Sequence, residues 1–263
     1  MSERPLFVTT WGQGPDVVFL HGLGASSRYW EPLAESSTGY RATAPDLLGF
    51  GRSPSPPDAS YDIDCHLDAL APHLPAAAVV VAHSAGAIVA AALAARRPEV
   101  VRSLVLLGLP AYPNEASARR GIGGLGILAR LTVHNSRAAQ LVCEMMCRFR
   151  PLALTLAPRV VRDLTPSIAS DALRHTWASY SRTLLHVVVE HRVSEDLAMT
   201  VKPVTLVHGR SDRAAPLRFV EALVDHGGDG VRLQAVDGNH HLAVHRPDLV
   251  AKILAAALAK ATT

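Results

Sequence analysis

A chain of 263 residues, 49% hydrophobic and 19% charged, fits one globular domain or one domain carrying a large insertion, and is not disordered. A formal charge of +3, with scattered arginines and no basic block, gives no footprint for nucleic acid. No apolar run reaches the roughly 18 residues of a membrane span, and Met1-Ser2-Glu3-Arg4-Pro5 lacks the apolar core of a secretion signal, so a cytoplasmic protein with no membrane partner is expected.

In chain order, strands are expected near 6–10, 16–20, 41–45, 78–83, 103–107, 203–208 and 231–236, and helices near 28–36, 61–74, 85–97, 216–226 and 247–260. Pro216 and Pro247 sit at first helical positions, and Gly227-Gly228 ends the helix before it. Alternation of this kind predicts an α/β fold with a mainly parallel, doubly wound sheet. Residues 112–198 break the alternation. They are helical in character, with Pro113, Pro151, Pro158 and Pro166 as breaks, and are expected to form four or five helices. Cys65, Cys143 and Cys147 make no disulfide framework; Cys143 and Cys147 share one face of a helix and are expected to be buried thiols. No metal or cofactor is expected. Basic residues are almost all arginine and alanine is abundant, a composition associated with GC-rich bacterial genomes.

Ser84 carries the most information. The apolar run Ala76 to Val81 precedes it and the alanine-rich run Ala87 to Ala95 follows, so Ser84 stands in a tight strand-to-helix turn. There its hydroxyl is either a nucleophile pushed into the open beside the helix N–H groups or a simple helix cap. Gly86 provides the small neighbour such a turn needs, and Ala82 stands where G-x-S-x-G has its first glycine. Two further buried strands end in polar loops: one runs into His208-Gly209-Arg210-Ser211-Asp212, the other into Asp237-Gly238-Asn239-His240-His241. In a parallel sheet these loops share an edge with Ser84, which assembles serine, aspartate and histidine. A serine hydroxyl needs a base, and the base needs an orienting acid. Asp212 is the acid candidate, against a role capping the helix at Pro216; Glu115 is the next carboxylate to consider. Either His240 or His241 is available as base.

Together these features resemble the α/β-hydrolase fold family across essentially the whole chain. The matches are the Ser84 turn, His21-Gly22-Leu23-Gly24, Asp46-Leu47-Leu48-Gly49-Phe50-Gly51-Arg52-Ser53, the Asp212 loop, and His240 seven residues before Pro247. That last spacing selects His240 as base. The resemblance implies oxyanion donors at the backbone N–H groups of Leu23 and Ala85. It also makes 1–111 and 199–263 the core domain and 112–198 an inserted helical cap over the site. Trp30, Tyr112, His134, Trp177, Tyr180, His186 and His241 are candidates for the pocket, His241 at its rim or against the final helix. His21 and His83 are expected to be scaffold, and Asp46 with Arg52 to fix their loop. The implied function is a serine hydrolase of small or medium carboxylic esters, thioesters or lactones, with a small molecule as substrate. Alternatives are a C–C bond hydrolase of the meta-cleavage-product type and a slow or non-catalytic binder on the same scaffold. Serine at position 84 argues against dehalogenase and epoxide hydrolase chemistry, which needs a carboxylate there. The sequence sets no oligomeric state.

Overall fold

The computed structural model describes residues 5–36, 38–151, 164–225 and 230–260. Seven strands form one sheet in the order β1-β3-β2-β4-β5-β6-β7. They are β1 Val8–Gly12, β2 Asp16–Leu20, β3 Arg41–Pro45, β4 Ala78–His83, β5 Val101–Leu107, β6 Val204–Gly209 and β7 Val231–Val236. Only β1 runs antiparallel, pairing Val8 with Pro45 and Gly12 with Arg41; every other pair is parallel. A parallel sheet needs cover on both faces, and β4 reads accordingly: Ala-Val-Val-Val-Ala-His, all six residues buried.

Alternate strand residues feed two cores. Val18, Leu20, Val80, Ala82, Leu104 and Leu106 face one side, packed with α2 (Ile63–Leu70) and α3 (Ala85–Arg96). Val17, Phe19, Val79, Val81, Val105 and Leu107 face the other, against α1 (Glu31–Ser36) and the C-terminal α12 (Pro247–Lys260). Helix α3 is apolar all round, with Ala85 through Ala94 buried. Its small residues allow close approach to the sheet. A Cβ at Gly86 would collide with the backbone oxygens of His21 and Leu20.

Between β5 and β6 the described residues form six helices: α4 Glu115–Gly123, α5 Ile127–Val133, α6 Arg137–Arg148, α7 Pro166–Asp171, α8 Trp177–Thr183 and α9 Val193–Met199. Asn114, Ser136, Thr165 and Thr176 cap four of them with side-chain oxygens, which supplies more helix starts than the prolines alone suggest. A wide turn of π-type, Leu184–Val189, extends α8. The remaining helices are α10 Leu217–Asp225 and the short α11 Leu242–His245. The breaks expected at Pro158 and at Gly227-Gly228 lie outside the described residues. The helix expected over 28–36 begins as a 3₁₀ turn, Ser27–Trp30, which continues into α1. No helix among the described residues is long and apolar enough to cross a membrane.

Among the described residues five histidines are buried: His21, His66, His83, His175 and His208. Burial disfavours the imidazolium in all five, bringing His66 and His175 down to about 4. The unfolded chain titrates near 6.5. Above that pH neither state binds these protons and stability is full. As pH falls from 6.5 toward 4, the unfolded state takes up protons the folded state refuses, so stability drops. Each such histidine contributes roughly 1.4 kcal/mol per pH unit inside its own window. The melting temperature is expected to fall steeply below pH 6.5. Thermal scans that are flat between pH 7.5 and 5 would contradict it.

Candidate active site

The chain leaves β4 at His83 and enters α3 at Ala85, so Ser84 must reverse direction within one residue. It does so at φ 54°, ψ −123°. Positive φ in a non-glycine residue is strained, on the order of 1–3 kcal/mol, and is held here by surrounding structure. The Ser84 N–H donates to the Leu107 carbonyl of the adjacent strand at 3.0 Å. A capping serine would bond the helix N–H groups. Ser84 makes no such bond, and its Oγ instead lies 3.0 Å from His240 Nε2.

Asp212 follows the end of β6 and is buried. Its Oδ1 accepts the N–H groups of Ala214 (2.9 Å) and Ala215 (2.8 Å), which fixes the carboxylate in its turn. Its Oδ2 meets His240 Nδ1 at 2.7 Å. The aspartate therefore holds the entry to α10 and faces the imidazole at once. Gly108, just past β5 at φ 56°, makes room for the pair. A Cβ there would sit 3.0 Å from His240 Nδ1 and 3.2 Å from Asp212 Oδ2. The carbonyl of His240 accepts a hydrogen bond from His83 Nε2 at 2.9 Å, and the His83 ring stacks on Tyr29 with centroids 4.4 Å apart. Because a carbonyl only accepts, His83 carries its proton on Nε2. Burial, then the neighbouring imidazoles of His240 and His241, hold its pKa well below the ordinary value.

The loop after β2 lies directly against Ser84: a Cβ at Gly22 would come within 3.0 Å of Ser84 Cβ and of His83 Nδ1. His21 locks this loop. Its Nδ1 donates to the Gly22 carbonyl at 2.8 Å and its Nε2 accepts the Leu47 N–H at 2.8 Å, so this buried ring is neutral with a fixed tautomer. Asp46 Oδ1 accepts the Ser27 N–H at 2.6 Å and its Oδ2 the Arg52 N–H at 2.8 Å. Among the described residues, the N–H groups of Leu23 and Ala85 have no protein acceptor.

A model of the alpha/beta hydrolase family matches residues 17–253. The chain belongs to that family. The pimeloyl-[acyl-carrier protein] methyl ester esterase of Chromobacterium violaceum is 45% identical over 103 residues, 39% of this chain and 40% of that protein. "Probable lysophospholipase BODYGUARD 4" of Arabidopsis thaliana is 29% identical over 224 residues, 76% of this chain and 54% of that protein. The chain thus spans about half the length of the curated relatives it matches. A thermophilic esterase from Thermogutta terrifontis superposes with a TM-score of 0.73 at 21% identity over 98% of this chain and 94% of that one, a likeness of fold.

The remaining candidates of this α/β hydrolase lie in different places. Tyr180, on α8, is brought to the loop beside Leu23: a Cβ at Gly24 would lie 3.4 Å from its ring. Tyr112 is buried and donates its hydroxyl to the Ala214 carbonyl at 2.7 Å, so it braces the Asp212 turn. The His241 ring sits 5.4 Å from that of His240 and 5.6 Å from that of His83. Trp30 corrects the expectation of a pocket wall. The 3₁₀ turn points its indole into the sheet core, fully buried against Phe19 and Tyr29. His134 is exposed at the end of α5, and the half-exposed His186 pairs with Glu190 at 2.7 Å. Trp177 opens α8, half-buried. Among the described residues, none of these three bonds or stacks with Ser84, Asp212 or His240. Glu115 pairs with Arg119 and Arg192 instead of approaching His240. No group of three metal-ligating side chains capable of holding a metal occurs among the described residues.

Two supporting residues stand outside the sequence expectations. His208 Nε2 lies 3.6 Å from Asp212 Oδ2 and 2.5 Å from the Ala215 carbonyl it donates to; its position one residue before the strand-ending glycine is the available signal. Asp171 Oδ2 accepts the Ser26 hydroxyl at 2.6 Å while Oδ1 pairs with Arg174 at 2.8 Å. This contact joins residues 145 apart and has no local signal.

Proposed function

We propose that this α/β hydrolase is a serine esterase that cleaves a small or medium carboxylic ester, thioester or lactone through an acyl-enzyme on Ser84. The observation that carries the proposal is the continuous hydrogen-bond line Ser84 Oγ–His240 Nε2 (3.0 Å) and His240 Nδ1–Asp212 Oδ2 (2.7 Å). In this mechanism His240 takes the Ser84 proton as Oγ attacks the carbonyl carbon. Asp212 accepts from Nδ1–H and stabilises the imidazolium. The N–H groups of Leu23 and Ala85 receive the oxyanion, each worth roughly 10²–10³ in rate. The imidazolium then protonates the leaving group, and water, deprotonated by His240, releases the acid. The Chromobacterium violaceum relative is named a methyl ester esterase and the Arabidopsis thaliana relative a probable lysophospholipase, and the first of these names supports an ester as the bond class. Residues 112–198 are read as the cap, with Tyr180 the aromatic that meets the oxyanion loop.

A fluorophosphonate probe tests the nucleophile directly. Labelling of the whole chain should map to Ser84, and a mapped adduct elsewhere or none would reject the mechanism. A panel of p-nitrophenyl esters of increasing acyl length, a thioester and a lactone, run beside a C–C cleavage substrate, tests the bond class. Asp212→Asn is expected to lower kcat by roughly 10²–10⁴. The amide oxygen can keep the Ala214 and Ala215 N–H bonds, so the turn survives, while its NH₂ faces Nδ1 and imposes the wrong tautomer. Undiminished kcat in this variant would remove Asp212 from the mechanism.

A further inference from the structure

Nine large hydrophobic side chains are well exposed among the described residues, and seven of them fall between positions 125 and 149, on and around α5 and α6. The packing of α6 explains the arrangement. At about 100° per residue, Ala139 and Cys143 point one way, and Leu141, Met145 and Phe149 fall within about 80° of one another on the opposite side. The first pair is buried, with Cys143 Sγ 3.6 Å from His175 Nε2. The second set is 62%, 60% and 58% exposed, and Ile127 of the neighbouring α5 is 72% exposed. Scattered exposed hydrophobes are ordinary; seven of them on and around two helices that pack against each other are not.

The charge around this face is predominantly positive, with the exposed Glu144 the one acid on α6. Residues 115–151 hold six arginines and two glutamates and no other charged residue, a net +4 against +3 for the whole chain. Arg137 and Arg148 flank the apolar strip of α6, and Arg130 stands on α5; all three are exposed and pair with no carboxylate among the described residues. An apolar strip with arginines along its edge is the pattern of a helix that lies in a membrane interface, its hydrophobes at the acyl boundary and its cations among the headgroups. An acidic protein partner would match the arginines. It would leave the large side chains of Ile127, Leu141, Met145 and Phe149 without an equally apolar counterpart. We propose that the α5–α6 face docks on an anionic phospholipid surface. Adsorption of this kind requires no spanning helix, and none of the described helices is long and apolar enough to be one; the proposal departs from the expectation of no membrane partner.

The test is co-sedimentation of the full chain with phosphatidylcholine vesicles, with and without about one-third phosphatidylglycerol. Binding is expected to the anionic vesicles and to be weakened at high salt. The triple variants Leu141→Ser/Met145→Ser/Phe149→Ser and Arg130→Glu/Arg137→Glu/Arg148→Glu should each lower the bound fraction at least tenfold. Because all six side chains are exposed, the melting temperature should stay within a few degrees of the parent. Binding is read without turnover, so an inactive Ser84 would leave this test intact. Absence of vesicle binding by the parent, or equal binding by folded variants, would overturn the proposal. So would light scattering that shows a dimer dissociated by the same substitutions, which would assign the face to a second copy. Retention on poly-glutamate without vesicle binding would assign it to an acidic protein and overturn it equally.

Discussion

Ser84→Ala is expected to lower kcat by on the order of 10⁴–10⁶ while leaving the fold intact. The size follows from the role proposed for Oγ: without it His240 has no proton to take and no acyl-enzyme forms. The fold survives because Ser84 is held by its backbone. The N–H to the Leu107 carbonyl is independent of the side chain, and alanine occupies the same positive-φ position with the same Cβ. The hydroxyl has a single described side-chain partner, His240 Nε2, and makes no capping bond to α3. Thermal unfolding should therefore shift by a few degrees at most while ester turnover collapses. Retention of more than a tenth of the parent's kcat would remove Ser84 from the mechanism.

The legible parts of this chain are those where local pattern and tertiary environment agree. β4 and α3 are continuous apolar runs buried on every side, so their pattern alone announces a central strand and a buried helix. β1 was less legible. It is an edge strand set by antiparallel pairing to β3, and the expected span 6–10 is displaced to Val8–Gly12. Leu6 is buried and Phe7 accepts the Asp46 N–H, so both look like strand residues without lying in the ladder. Strand β5 starts two residues before the expectation because the exposed Arg102 interrupts the apolar run while the backbone continues the sheet. At the site, strand–loop order was enough to bring Ser84, Asp212 and His240 to one edge. The direction of a side chain in a turn was not readable: Trp30 follows the Leu23 loop in sequence, yet its ring turns into the core. The Ser26–Asp171 bond depends on how α7 docks on that loop, which no spacing in the chain encodes.

His240→Ala and His241→Ala are expected to differ by several orders of magnitude, although the residues are neighbours. His240 contacts Ser84 Oγ through Nε2 and Asp212 Oδ2 through Nδ1, so its loss removes the proposed base. The fall in kcat should match that of Ser84→Ala, and the Ser84→Ala/His240→Ala double variant should be no worse than either single, because residues acting as a unit are non-additive. Part of any stability loss in His240→Ala comes from leaving the buried Asp212 carboxylate without its imidazole; its Oδ1 bonds to Ala214 and Ala215 remain. His241 instead packs against His240, His83 and Tyr29 at ring distances of 5.4–6.0 Å, where it supports the loop without bonding Ser84 or Asp212. Its replacement should lower stability by about 1 kcal/mol and kcat by less than tenfold. Phosphonate labelling of Ser84 separates the two directly: it should be nearly abolished in His240→Ala and close to the parent rate in His241→Ala. If the severities reverse, the base is His241, and the spacing to Pro247 has selected the wrong member of the pair.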